Sequence, residues 1–111
     1  MFVLAVPPET VKISVVPRNL VPGIRAKLVC DSSSSNPPAK VSWWKDGIPV
    51  DGVNLSTKPG LWGGSISTLE VYVNITQDLD GIVYTCQSIN EQLQRSVHET
   101  INLDILCKSI C

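Results

Sequence analysis

Cys30 and Cys86 narrow the folds open to this chain more than any other feature, because each sits where apolar and polar residues alternate. Strict alternation marks a half-buried strand, since successive side chains leave a strand on opposite faces. In IRAKLVCD, Ala26, Leu28 and Cys30 share one face, and Arg25, Lys27, Val29 and Asp31 take the other. In IVYTCQS, the inward set is Ile82, Tyr84, Cys86 and Ser88. The stretch AKVSWW adds Val41 and Trp43 to one face and sends Trp44 to the opposite one. A bridge between facing sheets, with a large indole packed on it, accounts for Cys30, Trp43 and Cys86 together. Closing so long a loop is worth roughly 4 kcal/mol in the chain-entropy model. The other reading, two free buried cysteines in a reduced sandwich, leaves these placements and that of Tyr84 to coincidence.

The rest of the chain repeats the period of two. TVKISVV puts Val11, Ile13 and Val15 on one face. STLEVYVN turns Leu69, Val71 and Val73 inward and Glu70, Tyr72 and Asn74 outward, and ETINLDIL turns in Ile101, Leu103 and Ile105. Pro22-Gly23 and Lys45-Asp46-Gly47 are turns, the latter of hairpin type because Asp-Gly tolerates positive φ. QDLDG, from Gln77 to Gly81, is at most one helical turn. Six or more short strands separated by turn residues predict an all-β chain, an immunoglobulin-like antiparallel β-sandwich of C2/I-set type. Tyr84, two before Cys86, then holds the place of a tyrosine corner, its hydroxyl bonded back to upstream backbone.

Composition excludes several function classes. The chain has 111 residues, enough for one domain, and a net charge of −1 with no basic cluster for nucleic acid. No apolar run reaches the length of about 18 residues that a spanning helix needs, so this segment does not insert in a membrane. Four cysteines, none in a CxxC pair, and a single histidine give poor ligand supply for zinc. Asp46, Asp51, Asp78 and Asp80 lie on separate turns and do not converge as a calcium cage requires. Asp78 and Asp80 read instead as caps of the short turn before the strand of Tyr84. His98 has no serine or cysteine beside it with a supporting acid, so it reads as a surface residue. With no acid/base pair, metal set or phosphate loop, the chain reads as no enzyme and needs no cofactor.

VPPETVKISVVPRNLVPGIRAKLVCDSSSSNPPAKVSWWKDG resembles an immunoglobulin repeat of nephrin and its invertebrate relatives. The likeness lies in the Pro7-Pro8 junction, the Pro22-Gly23 turn, the segment from Cys30 through SNPP to SW, and GGSISTLEV from Gly63 to Val71. Asp80 holds its usual position before Tyr84-Thr85-Cys86, while Ile82 stands where most such domains carry glycine. The resemblance covers residues 7–106. It implies one extracellular repeat of a single-pass, multi-domain cell-adhesion receptor on the outer side of the plasma membrane, one that either binds a partner directly or spaces the contacts made by other repeats. The implied partners are an immunoglobulin-superfamily protein on the same or an opposing cell, and the neighbouring repeats. A secreted stand-alone domain binding a soluble protein is the alternative.

Within that frame, residues 1–6 read as the tail of a preceding repeat or a linker, which makes the chain a fragment. No leader with a positive start is read there. Residues 107–111, CKSIC, depart from the pattern and read as a truncated or mis-joined end; the alternative is pairing of Cys107 and Cys111 with each other or with another chain. Asn54-Leu55-Ser56, in the loop-rich middle, and Asn74-Ile75-Thr76, at a strand end, are glycosylation sequons, whereas Pro37 blocks Asn36. Trp44 is either a partly covered outer-face residue or an interface anchor. Trp62, in KPGLWGG, is either a lid on the sandwich edge or a contact for a neighbouring domain or partner.

Overall fold

A computed structural model describes residues 5–106; Cys107 and Cys111 lie outside the described residues. Eight strands form: β1 (Val11–Val16), β2 (Arg25–Ser32), β3 (Lys40–Lys45), β4 (Ile48–Val50), β5 (Val53–Pro59), β6 (Ser65–Asn74), β7 (Val83–Asn90) and β8 (Arg95–Asn102). They pair antiparallel into two four-stranded sheets, ordered β1-β2-β6-β5 and β4-β3-β7-β8. The inward sets expected from alternation line the space between them, with Ala26, Leu28, Cys30, Trp43 and Cys86 all at 0 % exposure.

Three ties cross that space. Cys30 on β2 and Cys86 on β7 form a disulfide with Cα atoms 6.4 Å apart. Two residues further along the same strands, the Ser32 and Ser88 hydroxyls meet at 2.6 Å. Trp43 Nε1 on β3 donates to the Leu69 carbonyl on β6 at 3.0 Å, so the buried indole keeps its N–H satisfied. The Tyr84 ring stands edge-on to the Trp43 ring, centroids 6.4 Å apart.

The hairpin at Asp46-Gly47 forms as expected, with φ of 48° and 80° at the two central residues and Lys45 paired to Ile48. Both central residues need positive φ, which is why an Asp-Gly pair serves there. Asp46 also docks the turn on β7: its amide donates to the Val83 carbonyl, and its carboxylate accepts from the Val83 amide.

Four local readings are corrected. Asn54 lies on strand β5, not in a loop; β5 is an edge strand exposed along its whole length, so it carries no alternation to read. The last strand starts at Arg95, ahead of ETINLDIL, and Leu103 and Ile105 lie beyond it, the latter bridged in parallel to Leu20. Of the two aspartates read as caps, Asp80 stands at the C-terminal cap of the 3₁₀ turn Gln77–Leu79, its amide donating to the Gln77 carbonyl, while Asp78 lies inside that turn, whose N-cap position is Thr76. The Asp80 carboxylate also accepts from the Ile105 amide at 3.0 Å and ties the chain after β8 to this turn. The Tyr84 ring is buried, yet among the described residues its hydroxyl makes no hydrogen bond to upstream backbone, so the expected tyrosine corner does not form.

Candidate functional site

The two sheets present outer faces of different character. On β4-β3-β7-β8, the register that buries Trp43 sends Trp44 outward, flanked by Pro49 on β4 and Thr85 on β7. The next row along the strands is Ser42, Gln87 and His98. Trp44, Gly47, Thr85, Gln87 and His98 line an open concavity of about 260 Å³. Trp44 is half-buried, and its Nε1 donates to Ser42 Oγ at 3.0 Å. With its N–H satisfied along its own strand, the indole offers apolar surface beside the polar side chains of Thr85, Gln87 and His98. Among the described residues no three potential metal ligands come together. An aromatic side chain among polar ones is a chemistry that suits contact with a protein surface.

On the opposite outer face, Arg25 stacks on an aromatic ring and Lys27 sits beside a carboxylate. The Arg25 guanidinium lies 4.1 Å from the centroid of the Tyr72 ring, and Lys27 is 3.6 Å from Glu70. Asn74 ends β6 opposite Arg25 and is exposed. Asn54, at φ 55° beside an irregularity in the pairing of β5, is exposed and donates from Nδ2 to Glu70 Oε1 at 2.9 Å. Both sequons therefore belong to the sheet β1-β2-β6-β5. The sheet that carries Trp44 has none.

Trp62 lies away from both faces, at one end of the sandwich, in a 3₁₀ turn over Leu61–Gly63. It is 70 % exposed, so it is no lid on the sandwich edge. That end is organised by a residue the alternation of β7 implies but that reads as an ordinary strand-end polar group, Asn90. Only 1 % exposed, it donates from Nδ2 to Ser35 Oγ (3.0 Å) and to the Pro37 (3.2 Å) and Val6 (3.4 Å) carbonyls. Its Oδ1 accepts from the Leu93 amide. One side chain thus joins the incoming chain, the loop after β2 and the loop after β7. Sequence offers one signal for it: Asn90 continues the inward row of Tyr84, Cys86 and Ser88.

Burial, and then the nearby Asp46 carboxylate, push the Tyr84 phenol above its ordinary value. The Thr76 hydroxyl beside Asp78 holds that carboxyl below its ordinary value. Neither group borders the Trp44 concavity.

Residues 7–97 match the family of CD80-like C2-set immunoglobulin domains. Human nephrin is 31% identical over 100 residues, covering 90% of this chain and 8% of nephrin. Rat Kin of IRRE-like protein 1 is 31% identical over 102 residues, covering 90% of this chain and 13% of that protein. The full ectodomain, Ig1 to Ig3, of mouse nectin-like molecule 4 superposes on 91% of this chain with a TM-score of 0.81 at 24% identity, the match covering 35% of that structure. The last of these shows the fold; the first two show nephrin-like sequence over one short part of much longer proteins. The chain belongs to the CD80-like C2-set immunoglobulin domain family and is a nephrin-like member of it.

Proposed function

We propose that this chain is one extracellular repeat of a multi-domain adhesion receptor, and that its β4-β3-β7-β8 outer face binds an immunoglobulin-superfamily protein on another cell or on the same one. The observation that carries the reading is the asymmetry of the two faces. Both sequons lie on β5 and β6, while the other sheet holds an aromatic concavity with no sequon near it. Sugars on Asn54 and Asn74 would exclude partners from one side and leave the Trp44 side open. The disulfide suits an oxidising, extracellular setting. Residues 7–106 form the repeat, joined through the stiff Pro7-Pro8 pair to a preceding one. Tandem domains in the nectin-like ectodomain support that arrangement.

The test is aggregation of non-adherent cells that display the parent receptor, mixed with cells displaying it or other immunoglobulin-superfamily proteins. Trp44→Ser should abolish the aggregation while surface display stays normal. Undiminished aggregation by Trp44→Ser would assign this repeat a spacer role.

A further inference from the structure

The Leu61–Trp62 pair has no role in the reading above, yet its surroundings are built to hold it out. Leu61 and Trp62 are 71% and 70% exposed. Trp62 sits at φ 61° and ψ 30°, the left-handed region that a bulky residue rarely adopts. The turn is fixed from within by the Gly64 amide on the Leu61 carbonyl (3.0 Å) and the Gly60 amide on the Gly64 carbonyl (2.9 Å). From outside, Ser34 Oγ donates to the Leu61 carbonyl at 2.7 Å. A Cβ at Gly64 would collide with Ser34 Oγ and the Ser35 backbone, so glycine is what lets the turn seat there. Two large apolar side chains, presented by a pinned turn rather than folded away, mark a contact surface.

The incoming chain reaches the same place. Val6 is bridged to Asn36 in both directions, at 3.0 and 2.8 Å, and Asn90 reaches its carbonyl. Val6, Ser34, Leu61 and Trp62 all border one small cavity of about 80 Å³. We propose that the Leu61–Trp62 pair is the seat for the end of the preceding immunoglobulin repeat in the same polypeptide. This rests on the tandem-receptor reading. On that reading the chain ahead of Pro7 comes from the preceding repeat and enters this one at Val6. An extended chain advances at most about 3.3–3.6 Å per residue, so the body of the preceding repeat is held close to the cavity that Val6 and Trp62 share. Burying the pair fixes the angle between the two repeats, which a proline junction alone does not do.

Hydroxyl-radical footprinting of the intact ectodomain, compared with the 111-residue chain alone, tests the seat. Trp62 should react several-fold more slowly in the ectodomain, and a flexible Gly-Ser spacer inserted before Ala5 should restore the faster rate. Equal reactivity in ectodomain and single chain, with Trp44-dependent aggregation intact, would overturn the seat and leave the receptor reading standing. Protection that survives the spacer would assign the cover to some other surface and also overturn it. A native transcript with no immunoglobulin repeat ahead of residue 7 would sink both readings together.

Discussion

Trp43 and Trp44 are neighbours in sequence with opposite duties, and the pleat of β3 is what separates them. Trp43 is wholly buried, bonded to the Leu69 carbonyl and packed edge-on by Tyr84. Trp43→Ala should cost about 3–5 kcal/mol in denaturant unfolding, the range for truncating a buried aromatic. Trp44→Ala, on the outer face, should cost under about 1 kcal/mol. Tyr84 gives a second test at this scale. Because its hydroxyl bonds to no upstream backbone among the described residues, Tyr84→Phe should cost under about 1 kcal/mol at neutral pH. The phenol's raised value in the fold also sets a sign. Folded protein holds this proton more tightly than unfolded chain, so its contribution is complete below the ordinary value of 10.0 and is lost as pH rises through the higher folded value. Stability should fall at alkaline pH, and Tyr84→Phe should flatten that fall. Alternation alone placed both tryptophans on their proper faces. The missing hydroxyl bond was illegible, because it depends on where backbone carbonyls lie in three dimensions.

At the level of elements, strands with one buried face were readable and strands without one were not. β2, β6 and β7 each pair on both sides and bury alternate residues, so their apolar positions announce them. β5 pairs only with β6 and buries none of its residues, so VNLSTKP looks like loop. The early part of β8, RSVHET, hides for the same reason, being mostly exposed on a sheet edge. The loops at the Trp62 end were legible as turns, but not their common anchor. Asn90→Ala would leave several groups in and around a buried pocket without their donor or acceptor. It should cost about 2–3 kcal/mol, given about 1–3 kcal/mol for a stranded buried polar group. Amide exchange should quicken at Val6, Asn36 and Leu93 before it quickens in β2, β6 or β7. Uniform quickening would mean that Asn90 acts on the whole fold and not on that end.

At the scale of the whole molecule, the surface divides into three. One sheet carries the sequons, the other carries the Trp44 concavity, and one end bears Leu61 and Trp62, the proposed seat for a preceding repeat. The net charge is only −1, and the proposed binding face rests on shape and sugar. The division predicts that sugar on the Trp44 face is as damaging to adhesion as sugar on the opposite face is harmless. Sequence happens to make this testable with one substitution. His98 lies exposed on β8, lining the concavity, and is followed by Glu99-Thr100. The substitution His98→Asn therefore creates a sequon beside Trp44. The measurement is cell aggregation by the receptor carrying His98→Asn, with the added sugar confirmed by mass. The account predicts normal folding and surface display with adhesion lost, and adhesion restored when Thr100→Ala removes the new sequon. Full adhesion by the glycosylated variant would contradict the assignment of that face as the binding surface.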